Sequence, residues 1–430
     1  MTIHTSFVPR LRRVGAVAAV VTAVLGFGVA PAAHAAPDAA SLPLGDADLA
    51  ESRSSQALTR GVTLTRIVRG TEPAPSDQIT TTTRGPWVVN VLTIDPSTSR
   101  GHLAATYGPD LANVEKTTDL VRSAGALAGV NASFFTFTGS AQYPGDPVGL
   151  GVFGGKLLSE PTGEPAEANL VVDARSNKVL MGHLHWTGSI QNTRTKVTLP
   201  LEFINHPPVV PAGCAELAQQ TQCTLAGDVA RFTPEFADAT PSGAGVEVVL
   251  DGQGCVVRTA TTRGTTLTAD QTSLQATGRD SVALLSVAKG CVKQTTTVLD
   301  ESGKKLPLRA GTFGVTGRYR LLADGQVVVP AGSPSDSFFA RNPRTIAGTT
   351  VDGKIVLATI DGRMTTSVGT TMDETAAVAA ALGLHDAINL DGGGSTTMSV
   401  EGTLVNQPSG GTERAVGDAL VFVDSRFTGR

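Results

Sequence analysis

Three consecutive glycines within Asn389-Leu-Asp-Gly-Gly-Gly-Ser395 constrain this chain more than any other feature. The segment stands between a helix-like run and a short strand, and its glycines leave backbone amides bare beside an Asn and an Asp. Composition does not require this, and packing gains little from it. Successive bare amides of this kind form a nest for anionic oxygens. The loop is not a P-loop, because no Gly-Lys-Ser/Thr follows it and Ser395 is expected to open a strand. Strand periodicity of two sends Asn389 and Asp391 to one face while Ile388 and Leu390 point to the other.

The surrounding pattern supplies the elements that would carry this loop. Lys354–Ile360 reads as a strand ending in Asp361-Gly362-Arg363, and Gly362 permits a bend there. Thr371-Met-Asp-Glu374 matches a capping box opening a helix through Leu382, with Gly383 as its stop. Asp386–Leu390 and Ala419–Val423 read as strands. Upstream, Val62–Val68 and Trp87–Ile94 are strand-like, Thr117–Ala128 predicts a helix closed by Gly129, and Val130–Phe135 predicts a strand delivering Asn131 to its end. A hairpin is expected around Gly154-Gly155, and further strands at Val246–Leu250 and Ser281–Leu285. With 48 glycines and only 4% aromatic residues, Thr- and Val-rich runs favour strands and turns over a helical bundle. The expected fold class is α+β: strand-rich mixed sheets with a few short helices.

Arg10, Arg12 and Arg13, the apolar run Val14–Val29 and Ala33-His34-Ala35 read as an export signal over residues 1–35, cleaved near Ala35. Loss of those three arginines leaves 31 Lys+Arg against 38 Asp+Glu, a formal charge of −7. Nucleic acid is thereby excluded as a partner, since phosphate backbones demand a basic face, and no second segment of membrane-spanning length follows. Residues 36–60 read as a flexible leader, and 61–205 and 306–430 as two parts of one domain. Between them, 206–305 reads as a β-rich insertion lobe holding Cys214, Cys223, Cys255 and Cys291. An even count in an exported chain predicts disulfides, and short loops close most easily, which favours Cys214–Cys223 with Cys255–Cys291.

Several polar residues fall at strand ends near the glycine loop. Arg344, Arg363 and Arg414 have the planar guanidinium that grips phosphate in two places. Glu374 doubles as the third residue of the capping box. Ser395 lacks both an elbow motif and a His partner for nucleophilic work. His183-Leu-His185 puts two imidazoles on one strand face without a nearby third ligand.

Arg344-Thr345, Asp361-Gly-Arg363, Glu374, Asn389 to Ser395, Asn406, Pro408-Ser409 and Glu413-Arg414 together resemble the phosphodiester glycosidase family. Val130-Asn-Ala-Ser-Phe-Phe135 and Pro147-Val-Gly149 extend the resemblance upstream. Ala132 and Ser133 stand where the family's motif has glycines, and Asp418 where Asn is common. The resemblance implies an exported hydrolase that cuts the glycosidic bond of a sugar-1-phosphodiester of the N-acetylglucosamine-1-phosphodiester type, drawn from cell wall or exopolysaccharide. It implies a working pair of Asp391 with Asp361 or Glu374. Asn131, Arg344, Thr345, Arg363, Asn389, Gly392, Gly393, Gly394, Ser395, Asn406 and Arg414 would bind substrate. No cofactor is required by the sequence, and a structural divalent cation such as calcium is compatible with it. The competing classes are a non-catalytic module binding envelope polysaccharide and a metal-dependent phosphoesterase with its ion on Asp361 and Asp391.

Overall fold

The computed structural model describes residues 41–333 and 336–426, so the export signal over 1–35 lies outside the described residues. The frame is an eight-stranded antiparallel sheet in the order Glu51–Thr59, Val62–Arg69, Trp87–Ile94, Ile355–Ile360, Arg344–Thr350, Leu384–Asn389, Arg320–Ala323, Gln326–Val327. Its central strands are largely buried, with Trp87, Ile346 and Met372 in a core on one face and Leu92, Leu357 and Ile388 in a core on the other. Runs of β-branched residues suit strands covered on both faces.

The helix Met372–Ala381 covers one face. Thr371 accepts from the Glu374 N–H while Glu374 reaches back to the Thr371 N–H, as the capping box requires, and Gly383 ends the helix at a φ of +79°. Two five-stranded sheets close the other face. One runs Thr403–Leu404, Met398–Val400, Ala128–Asn131, Asp418–Asp424, Gly101–Tyr107; the other runs Lys178–Gly182, Glu167–Asp173, Thr312–Arg318, Gly151–Phe153, Lys156–Ser159. Leu103, Val130, Leu170, Val315 and Phe422 join Leu92 and Ile388 in the shared core.

Between Gly182 and Thr312 the chain builds two smaller sheets. His185–Asn192 pairs with both Thr198–Leu201 and Val292–Leu299, while Gly243–Leu250 sits within a sheet whose Phe203–Ile204 and Val229–Phe232 form its one parallel pair. This excursion therefore starts near His185, earlier than residue 206. Cys214–Cys223 and Cys255–Cys291 are bonded as the loop-length argument expected.

Four local expectations need correction. Glu51–Thr59, expected in a flexible leader, is a strand paired with Val62–Arg69, because a turn at Gly61 with φ +75° lets the chain fold back. The helix predicted over 117–128 spans only Thr117–Ser123; Gly125 adopts the left-handed conformation, and Gly129 belongs to the strand Ala128–Asn131. Ser281–Leu285, expected as a strand, lies in the helix Asp280–Val287, where Ser281, Leu284 and Val287 recur at helical spacing and are buried. Its apolar run, Val282–Leu285, is only four residues long and carries no periodicity that could separate the two. Ser395 closes a short 3-10 turn, Gly393–Ser395, and the next strand opens at Met398.

Cys255–Cys291 closes a 36-residue interval, so replacing both cysteines by serine is expected to cost about 3–4 kcal/mol, read as a lowered urea midpoint. An unchanged midpoint would show that the lobe needs no staple there.

Candidate active site

The ends of two strands from different sheets meet at Asp391. Its N–H donates to the Ala132 carbonyl at 2.9 Å, and its carbonyl accepts from Asn131 Nδ2 at 2.6 Å. Asn131 Oδ1 accepts from Thr345 Oγ1 at 2.8 Å and from the Thr397 N–H at 3.0 Å. Asn131 and Thr345, expected to touch substrate, instead spend their polar atoms fixing the backbone that presents Asp391.

The Asp391 side chain is mostly buried. Its Oδ1 accepts from the Gly392 N–H at 2.9 Å, and its Oδ2 lies 3.9 Å from Arg414 Nη2. Burial raises its pKa to about 6, opposed by the Ser395 hydroxyl and by Arg414. Ser395 Oγ accepts from Arg414 Nε at 3.1 Å and also from Arg414 Nη2. Its hydroxyl oxygen therefore orients an arginine, although Ser395 was expected to bind substrate.

Arg363 and Arg414 bracket the glycine turn. A Cβ on Gly393 would come within 3.3 Å of Arg363 Nη2, and one on Gly394 within 3.1 Å of Arg414 Nη1. The glycines thus make room for guanidinium groups as well as for substrate. Arg363 has a φ of +60°, an uncommon conformation for a residue with a Cβ. It follows Gly362, where any Cβ would meet Pro343 N at 2.7 Å. This is the bend the Asp-Gly-Arg sequence permitted. Arg363 Nη2 donates to Asn342 Oδ1 at 2.6 Å, and burial followed by repulsion from Arg414 holds its pKa below the usual arginine value. Two neighbouring guanidiniums that repel one another suit an oxyanion with charge to share.

Other expected site residues turn inward. Arg344 is buried, donating from Nε to the Thr370 carbonyl and from Nη2 to the Phe338 and Ala340 carbonyls. Burial, then Arg363, lowers its pKa to about 10. It anchors the 338–340 loop. Glu374 is taken up by its cap and by Arg341, whose Nη2 donates to Oε1 at 2.8 Å and whose Nε donates to Oε2 at 3.3 Å. Neither oxygen is left to work on substrate. Asp361 is buried and accepts from Asn406 Nδ2 and the Gln407 N–H, each at 3.2 Å; burial raises its pKa to about 6. Asn406 also donates to the Thr396 carbonyl and accepts from the Met398 N–H, so it fastens the strand after the loop. Of the three glycine amides, Gly392 donates to Asp391 and Gly393 to the Pro343 carbonyl, which leaves a smaller nest than the sequence suggested. Asn389 Oδ1 is buried with no hydrogen-bond partner among the described residues.

The structure adds groups that the sequence did not single out as site residues. Asp418 is buried, accepting from the Ser133 N–H and from Ser133 Oγ at 2.6 Å each; burial, with the charge of Asp391, raises its pKa to about 6. Arg318 is exposed, lies 5.0 Å from the Phe134 ring centroid and favours the charged form of Asp391. Phe137 lies under Arg414 at 4.6 Å, and Phe338 under Arg344 at 5.6 Å. Aromatic faces beside cations make a rim suited to a sugar ring and its charged substituent. Arg318 gives no signal in sequence, since a strand-end arginine is ordinary until its neighbours are known.

A buried carboxylate, two arginines and an aromatic ring thus gather around the glycine turn, a donor set able to hold an anionic oxygen. Residues 244–423 match the family model of the phosphodiester glycosidases. A 93-residue stretch is 40% identical to the SPbeta prophage-derived uncharacterized protein YomE of Bacillus subtilis (strain 168), covering 20% of this chain and 14% of that protein's length. Among solved structures, an exported protein of Burkholderia pseudomallei K96243 is similar at 26% identity and a TM-score of 0.74, over 89% of this chain and 98% of that one. A hypothetical protein from Synechocystis shares the fold at 19% identity and a TM-score of 0.64, over 84% of this chain and 62% of that one.

Asp361, Asp391 and Asp418 each titrate near 6 in the fold against an ordinary 3.8. The folded chain therefore holds protons that the unfolded chain releases between about pH 4 and 6, and stability falls as pH rises through that window, by up to about 3 kcal/mol per group. The melting temperature is expected to be higher at pH 5 than at pH 7.5. Asp418→Asn should flatten that slope, and an unchanged slope would show that Asp418 ionises without penalty.

Proposed function

We propose that this chain hydrolyses the glycosidic bond of a sugar-1-phosphodiester drawn from a cell-envelope glycan or exopolysaccharide, releasing sugar and a phosphate monoester. The observation that carries this reading is the placement of Asp391, a buried carboxylate 3.9 Å from Arg414, beside a glycine turn that Arg363 and Arg414 bracket. Arg363 and Arg414 hold the phosphate, with Arg318 at the rim. Water attacks the anomeric carbon and gives its proton to the Asp391 carboxylate. The bond to the phosphate oxygen breaks, and its electron pair leaves on a phosphate already stabilised by the arginines. An anion this stable departs without a strong general acid, unlike the leaving groups that oblige many glycosidases to use two carboxylates.

Export of the chain fits its two disulfides and its likeness to an exported protein. No helix among the described residues is long and apolar enough to cross a membrane. A metal-dependent phosphoesterase would need an ion on Asp361 and Asp391. Among the described residues the one group of carboxylates and histidine close enough to share an ion is Asp324, His385 and Asp386, which contains neither.

On an α-linked N-acetylglucosamine-1-phosphodiester, Asp391→Asn is expected to lower kcat/KM at least 10²-fold and Arg414→Ala by about 10²-fold. Glu374→Ala should keep wild-type turnover while losing about 1 kcal/mol of stability through its cap. With Asp391 as base, kcat/KM should rise with pH through about 6, the pKa of that group, and persist in chelator. Full activity of folded Asp391→Asn would sink the assignment, and loss in chelator would favour the phosphoesterase.

A further inference from the structure

The loop from Phe134 to Val148 runs from the Asp391 cleft to the excursion that begins near His185. Its outgoing limb carries Phe137, whose ring lies 4.6 Å from the Arg414 guanidinium and whose φ of +46° is uncommon for a residue with a Cβ. The returning limb holds the outgoing one in place. The Phe137 N–H donates to the Pro144 carbonyl at 2.8 Å, and the Thr136 N–H donates to the Asp146 carbonyl at 2.9 Å. Where Phe137 sits against Arg414 therefore depends on what fixes residues 144–146.

Asp146 is the charged point of attachment. It is only 1% exposed, and its Oδ2 lies 2.8 Å from Nδ1 of His206, a residue of the excursion. Apart from this ion pair, neither carboxylate oxygen has a partner among the described residues. An imidazolium at His206 is thus what offsets the burial of the Asp146 charge. Asn205 sets His206 in place, donating from Nδ2 to the Leu158 carbonyl at 3.0 Å and accepting from the Thr233 N–H at 2.8 Å. The loop also touches the excursion through Tyr143, whose ring packs on Phe236 at 5.0 Å, a contact without charge. Contact with Asp146, opposed by burial and aided by the charges of Glu160 and Asp228, holds the pKa of His206 above its ordinary 6.5. Burial raises Asp146 above its ordinary 3.8, and Arg231 faces Glu160 from the strand Val229–Phe232.

We propose that Asp146 and His206 are positioning residues: their ion pair clasps the 134–148 loop to the excursion and so holds Phe137 against Arg414, setting that guanidinium for an anionic oxygen of the substrate. The proposal rests on the reading of Arg414 as a phosphate-holding group and adds control of it by the excursion. Arg414 has Phe137 against it and donates to Ser395 Oγ, so its geometry is fixed before an anion arrives, which is what makes a charged donor effective. Once His206 is neutral, Asp146 is a buried charge without compensation, and its limb gives way toward solvent. Phe137 follows through the Thr136 and Phe137 N–H bonds, and Arg414 loses its backing. The clasp is therefore closed while His206 is charged and opens as pH rises through its raised pKa. Glu160, pushed up to about 7 by burial, ionises in the same range and acts the opposite way, because its charge favours the imidazolium.

The test combines amide hydrogen exchange with calorimetry of inorganic phosphate binding, both on the full chain. At about pH 6.5, His206→Gln is expected to speed exchange of the Thr136 and Phe137 amides at least tenfold, with Ile355–Ile360 unchanged as the sign of an intact fold. Phosphate affinity should fall at least threefold in the same variant. Wild type should loosen at those two amides between about pH 6.5 and 9, after correction for intrinsic rates, and His206→Gln should show no such step. Lys156→Gln, which breaks the exposed bridge to Glu235 between the same two parts of the fold, should change neither reading. Unchanged exchange in folded His206→Gln overturns the proposal, as does a pH step that this variant shares with wild type, or a loosened loop with undiminished phosphate affinity. If His206→Gln does not fold, the wild-type titration decides, and absence of the step overturns the proposal. Wild type that binds phosphate without hydrolysing a sugar-1-phosphodiester sinks the hydrolytic reading and leaves the clasp standing.

Discussion

The joint between Asn131 and Asp391 is the interaction on which the site depends. The strand Ala128–Asn131 belongs to one sheet and Leu384–Asn389 to another, and the two are welded where Asn131 Nδ2 donates to the Asp391 carbonyl and the Asp391 N–H donates to the Ala132 carbonyl. An amide side chain can do this because it offers donors and an acceptor at once. Asn131 uses its acceptor on Thr345 and Thr397, elements on either side of the glycine loop. A carboxylate held only by its own loop would move with that loop. Here its backbone is tied to three strands, so the side chain approaches the arginines from a fixed base.

The same construction explains why polar groups of one appearance take different roles. Arg344, Arg363 and Arg414 are equivalent in sequence, each polar and at a strand end. Burial separates them. Arg344 is enclosed and bonds three carbonyls, which stabilises a loop but leaves little for a ligand. Arg363 and Arg414 remain near the open glycine turn, close enough to repel one another, and Arg414 also faces Asp391. Carboxylates divide likewise: Glu374 satisfies a helix start and Arg341, whereas Asp391 keeps an oxygen 3.9 Å from its arginine. A loose contact at that distance is weak as a salt bridge and useful as a site, because either partner can turn to a substrate without breaking a tight pair.

What could be read in the sequence follows from how local each signal was. The capping box at Thr371, the hairpin at Gly154-Gly155 and both disulfides depend on residues near in the chain, and all are present. The strands Trp87–Ile94 and Ile355–Ile360 announce themselves by continuous apolar runs because both faces are covered. The helix Asp280–Val287 is not legible because four apolar residues, Val282–Leu285, have no period, and its tertiary neighbours decide its form. In the site, Asp391 and the glycine turn were legible, since glycines in a row have few structural uses. The cap role of Glu374 was legible too, but the roles of Asn131 and Arg344 were not, because each depends on partners that the fold brings to it: residue 391 for Asn131, and the Phe338, Ala340 and Thr370 carbonyls for Arg344. Arg318 lay beyond reach for the same reason.

Two departures from the family's pattern illuminate one another once the fold is known. Ser133 replaces a glycine and Asp418 stands at a position where Asn is common, and the two side chains are bonded to each other. The serine supplies a hydroxyl and a backbone N–H that a carboxylate can accept twice, and Ser133 Oγ accepts in turn from the Thr316 N–H. A lone Asp418 would bury an unpaired charge beside Asp391, and a lone Ser133 would bury a hydroxyl without an acceptor; either change alone is costly. Together they form a closed polar unit. Its carboxylate still senses Asp391, whose charge adds to burial in raising the cost of ionising Asp418. The Ser133–Asp418 unit therefore leaves the joint at Asp391 intact while placing a second titrating group close to it.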